Sequence, residues 1–349
     1  MVYLKTFLHI KDIMRIFSPN DASTTNAQKS NGSKQKNELN KSLHIKRIKH
    51  NLRKIRNLYR EKAAITEDIY KLSIEERVAL LFDLWAENDN YGKMMKNHTI
   101  AIKKAFARIN DLILPESFKD NRLCILDPFI GNGDVTAFIV RTIASEYRSK
   151  SQNSDLLIDL YINDISRNML DIAIRKLNRL KSDLKIQKIV LDVRASNINF
   201  LNDVARNESE SIQKPKSDAV LCGITLGREK FDLVIISQVL DLLKGIETKN
   251  KALTLAHDYL KIGGHAIVIG EDPARFTLEK ETDILIALIF ETIFDPFDKI
   301  QTENEIKRVR NGRLNIIGDV SERIDDVHSI FIKIAKKIYK PSESSEAIY

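Results

Sequence analysis

Short apolar runs alternate with helical patterns after Pro115. The runs RLCILD, LLIDLYIND, IQKIVLDV, FDLVIIS and GGHAIVIG are rich in Ile, Val and Leu, and SIFIKIAKKI follows near the C-terminus. Continuous apolar strands that are separated by helices are typical of a parallel sheet with both faces covered. The pattern therefore predicts an α/β fold. The run AVLCGITLG fits either an inserted strand or a packed loop, and the polar stretch before it, NDVARNESESIQKPKS, is predicted to be a surface loop.

Before Pro115 the chain has a helical texture. LHIKRIKHNLRKIRNLYREKAA carries eight Lys and Arg side chains and one acid, and its apolar residues recur every three or four positions. This spacing predicts an amphipathic basic helix, and two more helical patterns follow, IEERVALLFDLWAEN and HTIAIKKAFARINDLIL. The predicted organisation is an amphipathic start with a disordered polar tail (1–42), a helical, basic extension (43–115), the α/β domain (116–340) and a loose tail (341–349).

Composition and charge narrow the class of protein. Hydrophobic residues make up 43% and charged residues 30% of the chain, an ordinary globular balance with a formal charge of +8. No stretch reaches the roughly 18 apolar residues that span a membrane. Cys124 and Cys222 lie in apolar runs, so we expect core cysteines in a reducing compartment and no metal site. We expect a cytoplasmic protein, and a mitochondrial-type presequence is the alternative for the basic, amphipathic start.

A glycine-containing turn follows the first predicted strand. In ILDPFIGNGDVTAFIV the strand ends at Asp127, and Gly131 and Gly133 precede a helix. Glycines let the backbone approach a ligand, and the start of a helix offers unpaired N–H groups. The next unit, LLIDLYINDISRNMLDIAIRKL, ends its strand at Asp164, where a carboxylate can accept hydrogen bonds from ribose hydroxyls. Together the two units predict a nucleotide-type cofactor site, whereas the turn alone also fits a connection without a ligand.

Three segments resemble class I methyltransferases that depend on S-adenosylmethionine. DISRNMLDIAIRKL resembles the family pattern D-x-S-x-x-M-L-x-x-A, FDLVIISQVLDLL resembles the fourth strand with its following helix, and YLKIGGHAIVIGE resembles the loop and fifth strand. The resemblance covers about residues 116–340 in the family's order. It implies a Rossmann-like, mostly parallel seven-stranded sheet with flanking helices. It also implies S-adenosylmethionine as the cofactor. The helical N-terminal extension, which the residue pattern predicts, precedes this domain.

The resemblance further implies a set of cofactor-binding residues. Asp127 would lie near the methionine amino group, and Asp164 would hold the ribose. Ser237 and Gln238 would line the pocket after the fourth strand. The full set comprises Asp127, Phe129, Gly131, Gly133, Asp164, Ile165, Asp192, Ser237 and Gln238.

Some positions depart from the family pattern or bear on a rival family. Phe129 stands where the first motif glycine is expected, and the closest alignment puts Arg194 at the position of the adenine-side acid, with Asp192 nearby. An NAD(P) dehydrogenase also uses a glycine turn and a second-strand acid. Its fingerprint requires a third glycine or alanine three residues after the second, and that position is Thr136 here. The turn therefore favours the methyltransferase.

The methyl acceptor is less well defined by the sequence. Nucleic-acid amino-methyltransferases carry an Asp/Asn-Pro-Pro-aromatic motif after the fourth strand, where this chain has SQVLDLL, and Cys222 lacks the preceding proline of carbon-5 cytosine enzymes. A small-molecule acceptor is favoured. RNA bound through the basic segment 43–62 is one alternative, and a binding module without catalysis is another.

Two further groups of residues are candidates for roles at the site. LFDLWAENDNYGKMMKNH resembles the preamble of small-molecule methyltransferases, in which an aromatic residue closes the site; Tyr91 would be the match, with Trp85 nearby. Ordinary helix packing explains both aromatics equally well. Residues that could act as a base by position, none of which we assign as catalytic, are His98, Asp241, His257 and Glu271.

Overall fold

A computed structural model describes most of the chain after residue 68. The described residues are 69–87, 92, 95–112, 121–150, 154–201, 219–221, 224–226, 228–272, 289–290, 292–325 and 328–339. Ile65–Tyr349 form one compact unit. The predictions for the disordered start, the basic helix, the polar loop 202–217 and the tail 341–349 concern residues outside the described set.

A seven-stranded sheet lies at the centre of this unit. The strands in chain order are β1 (Arg122–Asp127), β2 (Leu156–Asn163), β3 (Ile189–Ser196), β4 (Ala219–Leu221), β5 (Ile224–Leu226), β6 (Phe231–Ser237), β7 (Leu260–Asp272), β8 (Leu314–Arg323) and β9 (Ser329–Lys337). The sheet order is β3-β2-β1-β6-β7-β9-β8. In this order, the strands from β3 to β7 are parallel, and β9 is antiparallel to both of its neighbours. Strands β4 and β5 lie outside this sheet. The predicted Rossmann-like, mostly parallel sheet is confirmed.

Helices cover both faces of the sheet. They are α1 (Ile74–Glu87), α2 (Lys96–Phe106), α3 (Asp134–Lys150), α4 (Arg167–Ile186), α5 (Ile246–Tyr259) and α6 (Lys299–Arg308). Helices α2, α3 and α4 share one apolar core with the sheet, and α5 and α6 share the core on the other face. Because both faces are covered, the central strands are apolar along almost their whole length, as in β1, where every residue after Arg122 is buried.

Helix α4 shows how the local sequence builds these elements. The Ser166 hydroxyl accepts a hydrogen bond from the backbone N–H of Met169 and caps the helix. Met169, Leu170, Ala173 and Leu177 are buried on one face, as their spacing predicts. The capped N-terminus of α4 lies only a few residues after the end of β2. It therefore lies at the carboxyl end of the sheet, next to the candidate site described below.

The structure adds to the sequence prediction at two places. Strand β8 was not predicted, and β4 and β5, both from the run AVLCGITLG, pair antiparallel in a separate two-stranded sheet. Cys124 is a buried free cysteine, as expected, whereas Cys222 lies outside the described residues. Within the described ranges, no helix has the length and apolar character needed to cross a membrane.

Candidate functional site

A cavity lies where the parallel strands end. Strand β1 has β2 on one side and β6 on the other, so the chain winds toward opposite edges of the sheet from this point. Ligands of open α/β sheets bind in such a crevice, beyond the carboxyl ends of the strands. The lining of this cavity comes from the residues that follow β1, β2, β3 and β6, and helix α1 supplies a further wall.

Seven of the nine residues predicted to bind the cofactor line this one cavity. They are Asp127, Phe129, Gly131, Asp164, Ile165, Ser237 and Gln238. Gly133 and Asp192 do not line it. The cavity therefore brings together side chains that lie more than a hundred positions apart in the sequence.

Gly133 and Asp192 have other neighbours. Gly133 has a φ of +78°, and a Cβ at this position would lie 2.9 Å from the Cβ of Ala173. This glycine thus lets α3 and α4 pack closely. Asp192 is in the middle of β3 and forms a 3.0 Å ion pair with Arg194, so its carboxylate is directed to its own strand.

Asp164 is a buried carboxylate at the start of α4. Its Oδ2 accepts a 2.8 Å hydrogen bond from the N–H of Gly131, and its Oδ1 accepts one of 2.8 Å from the N–H of Ser166. The residue is only 7% exposed. Burial raises the pKa of Asp164 to about 6, although both N–H donors lower it. Each oxygen keeps one lone pair with which to accept a hydrogen bond from a ligand.

Asp127 lies at the end of the neighbouring strand β1 and is 1% exposed. Its carboxylate accepts hydrogen bonds from the N–H of Phe129 and the hydroxyl of Thr136. Burial raises the pKa of Asp127 to about 7, these two donors lower it, and the charge of Asp164 raises it further. A cationic ligand group beside Asp127 would favour its ionised form.

The turn after β6 carries an unusual backbone conformation. Gln238 has a φ of 52°, in the left-handed region that non-glycine residues seldom occupy. Its N–H donates a 2.8 Å hydrogen bond to the carbonyl of Ile269 on β7. Such strain tends to occur at functional sites. Here it turns the chain so that Ser237, Gln238 and Val239 all line the cavity.

The residues after β3 form a wall that sequence reasoning missed. We predicted a strand that ends at Val193, whereas β3 continues to Ser196. The lining residues follow that end, from Ile198 to Leu201. Just before them, the Asn197 amide donates hydrogen bonds to the carbonyls of Asp164 and Ile165. A search for polar residues beyond the strand, instead of for an acid within it, would have found this segment.

Helix α1 covers the cavity. Its contribution to the lining includes Ile74, Val78 and Phe82. Asp83 on the same helix accepts hydrogen bonds from the Ser166 hydroxyl at 2.5 Å and from the N–H of Asn168 at 3.3 Å. These contacts fix α1 to the N-terminal end of α4, beside Asp164.

Of the two aromatic residues in the segment that resembles the family preamble, Trp85 lies in the described part of the chain and Tyr91 does not. Trp85 is buried, and its ring lies 5.4 Å from that of Phe82 and 6.1 Å from that of Phe290, so it packs within the helical layer. Tyr91 lies outside the described residues. The structure thus supports the packing interpretation for Trp85.

None of the four candidate bases lines the cavity. His98 Nε2 lies 3.4 Å from Glu271 Oε2, and His257 Nδ1 lies 2.9 Å from the neighbouring Asp258. Burial raises the pKa of Asp241 to about 7. Among the described residues, no cluster of His, Cys, Asp and Glu could hold a metal ion.

The chain has the Rossmann-like fold that the resemblance to class I methyltransferases predicts. No protein-family model and no curated protein matches the sequence. Similar solved structures include 1,6-didemethyltoxoflavin-N1-methyltransferase from Burkholderia thailandensis with bound 1,6-didemethyltoxoflavin and S-adenosylhomocysteine. Its sequence is 12% identical, and the match covers 77% of this chain and 92% of that protein, with a TM-score of 0.45. The N-methyltransferase NodS of Bradyrhizobium japonicum, in complex with S-adenosylhomocysteine, is 12% identical over 66% of this chain and 86% of its own, with a TM-score of 0.37.

The [4+2]-cyclase SpnF is also similar, with 16% identity over 67% of this chain and 82% of its own and a TM-score of 0.39.

Proposed function

We propose that the chain binds S-adenosylmethionine in this cavity and transfers its methyl group to a small-molecule acceptor. The observation that carries the proposal is the pair of buried carboxylates, Asp127 and Asp164, at the ends of adjacent strands. The glycine turn between β1 and α3 lies beside them, because the N–H of Gly131 donates to Asp164. This arrangement supports a ligand with both a ribose and a cationic group.

The side chains present fit S-adenosylmethionine. The free lone pairs of Asp164 would accept hydrogen bonds from the ribose hydroxyls. Asp127 would pair with the methionine ammonium, directly or through water. Ser237 and Gln238 would contact the methionine part from β6, and Ile198 and Asn199 would contact the adenine.

Methyl transfer from S-adenosylmethionine requires little acid or base catalysis by the protein. S-adenosylmethionine supplies an electrophilic methyl group on a sulfonium. The chain then has to hold the acceptor in line with this methyl and exclude water. Phe129, Phe200, Val239 and Leu242 provide apolar walls for that purpose. A base is required only for an acceptor whose proton has a high pKa, and we assign none.

Other functions have less support. Thr136 stands where a dinucleotide-binding turn requires glycine or alanine, and its hydroxyl donates a hydrogen bond to the carboxylate of Asp127. The sequence SQVLDLL after β6 lacks the motif of base amino-methyltransferases. An RNA acceptor depends on the basic segment 43–62, which lies outside the described residues. A binding module without catalysis would bind the cofactor and transfer nothing.

Calorimetry with S-adenosylhomocysteine tests the binding step. Asp164→Asn is expected to weaken binding by ~1.5–3 kcal/mol, because it removes charge-assisted hydrogen bonds to the ribose. Asp192→Asn is the matched control, since Asp192 lies outside the cavity on the next strand, and it should bind as the unaltered protein does. Absence of binding, or tight binding of NADH instead, would refute the proposal.

The pH dependence of binding tests the role of Asp127. Its pKa of about 7 in the free protein means that protonation competes with the ligand ammonium below pH 7. Affinity for S-adenosylhomocysteine should therefore rise by about tenfold in total from pH 6 to pH 8, because the ionised fraction of Asp127 rises by that factor. Calorimetry in buffers of different ionisation enthalpy should detect proton release on binding. Equal affinities at pH 6 and pH 8 would contradict this role.

The transfer step is tested with S-adenosylmethionine that carries a labelled methyl group. We expect label in the small-molecule fraction of a cell extract incubated with the full chain. Label in RNA would favour the RNA alternative. Binding of S-adenosylhomocysteine without any transfer would favour the binding module.

A further inference from the structure

The cavity continues past the residues that would hold the cofactor. Beyond the end of β6 its lining runs through Leu242, Leu243, Lys244, Thr248 and Lys251. Two apolar side chains are thus followed by two cations and a hydroxyl. The buried carboxylates and this basic segment belong to the same cavity.

The positions of three lysines distinguish the basic segment from ordinary surface charge. Thr248 and Lys251 are three residues apart, so they share one face of α5, and both line the cavity. Lys249 lies on a different face, where it is buried and forms a 2.6 Å ion pair with Asp295. The helix thus directs one lysine into the protein and another toward the cavity.

Among the residues that the structure describes, no acid lies at ion-pair distance from the two lysines of the cavity. Neither Lys244 nor Lys251 forms a hydrogen bond or an ion pair with any residue in the described part of the chain, although the charge of Lys244 lowers the pKa of the nearby Asp295. Glu75 of α1 also lines the cavity, but it has an interaction of its own. Lys244 is exposed and Lys251 half-buried. The positive charge therefore lies at the open end of the cavity.

We propose that the methyl acceptor is a small molecule with an apolar body and a carboxylate or phosphate group, which Lys244 and Lys251 bind at the mouth of the cavity. The inference rests on the proposed transfer of a methyl group. The apolar body would contact Phe129, Phe200 and Leu243. The anion is the group that is recognised. A different, nucleophilic atom of the acceptor forms a bond to the methyl carbon as the carbon–sulfur bond of S-adenosylmethionine breaks. S-adenosylhomocysteine leaves and the acceptor atom loses a proton to solvent, so the product keeps its negative charge.

The first measurement follows the charge of the methylated product. The full chain is incubated with labelled S-adenosylmethionine and a small-molecule extract, and the products pass over an anion exchanger. We expect the label in the retained fraction. Treatment of that fraction with phosphatase would release the label from the exchanger if the anion is a phosphate monoester and leave it bound if it is a carboxylate. Label in neutral or cationic products would overturn the inference.

The second measurement uses variants of the two lysines. The double change Lys244→Ala and Lys251→Ala should lower labelling of the retained fraction at least about tenfold, the scale for loss of charge-assisted hydrogen bonds. The double change to Arg keeps both charges and should retain most of the labelling. Lys181→Ala, at an exposed lysine of α4, is the control and should change nothing. Equal labelling by the double Ala variant would overturn the inference.

Cofactor binding separates failure of this inference from failure of the proposed function. The double Ala variant should bind S-adenosylhomocysteine as tightly as the unaltered chain. Weaker binding, with unchanged affinity for 5′-methylthioadenosine, would mean that the lysines hold the carboxylate of the cofactor, and the inference would be wrong. No label in any fraction would refute the proposed transfer itself, and the inference with it.

Discussion

Replacing Asp127 by asparagine is expected to stabilise the cofactor-free protein at pH 8, although it should weaken cofactor binding. The carboxylate is buried and its pKa is raised from 3.8 to about 7. Asparagine has nearly the same shape and can accept from the Phe129 N–H while its amide meets the Thr136 hydroxyl. The change therefore removes a buried charge and keeps the hydrogen-bond geometry.

The size of the effect follows from the pKa difference between the folded and unfolded states. The folded-state pKa is the higher one, so the stability contributed by the neutral carboxyl is complete below pH 4 and is lost as the pH rises through 7. A shift of about three units corresponds to about 4 kcal/mol at pH 8. At pH 5 the unfolded carboxyl is ionised and the folded one is still neutral, and the difference is about 1–2 kcal/mol.

Urea unfolding at pH 5 and pH 8 measures this difference. The gain in unfolding free energy of Asp127→Asn should be about 2–3 kcal/mol larger at pH 8 than at pH 5. Asp183→Asn is the control, because that carboxylate is 63% exposed and its 3.5 Å ion pair with Arg141 lies at the surface; its effect should stay within about 0.5 kcal/mol at both pH values. A pH-independent gain, or a loss at pH 8, would refute the assignment of Asp127 as a buried carboxylate of raised pKa.

Two other changes test the packing around the cavity. Gly133→Ala should lower the unfolding free energy by roughly 2–4 kcal/mol, because the new methyl group would clash with Ala173 and because alanine is strained at a positive φ. Gly263→Ala has a similar φ of +83° and open space around the new Cβ, so its loss should be only about 1–2 kcal/mol; equal losses in urea unfolding would contradict the packing explanation. Asp83→Ala removes the acceptor of the Ser166 hydroxyl and should cost about 1–3 kcal/mol and weaken S-adenosylhomocysteine binding. Asp83→Asn keeps an acceptor oxygen and should lose less, and an equal loss would show that α1 is held by other contacts.

The sequence alone was sufficient for the fold class and for the two carboxylates of the site. The apolar runs are long because their strands are covered on both faces, and this burial is written into each segment locally. Asp127 and Asp164 end consecutive runs, and right-handed crossovers bring the ends of such strands to one edge of the sheet. Proximity of the two acids could therefore be predicted without coordinates.

Strand β8 escaped prediction because its environment is mixed. Only Leu314 and Gly318 of its ten residues are buried, and the pairing with β9 shifts register between Ile316 and Gly318. An edge strand of this kind has neither a continuous apolar run nor a strict alternation. Its place in the sheet depends on β9, a partner that no local pattern of β8 identifies.

Tertiary structure decided which residues face the cavity. Gly133 resembles a ligand-contacting glycine in sequence, yet its neighbour is Ala173 of another helix. Asp192 lies four residues before the end of β3 and outside the lining, whereas Lys251 of α5 lies within it. Hydrophobic periodicity reports whether a residue is buried, because burial depends on the local face of a helix or strand. It does not report what lies opposite that face, which depends on where each strand ends and on contacts between segments far apart in the chain.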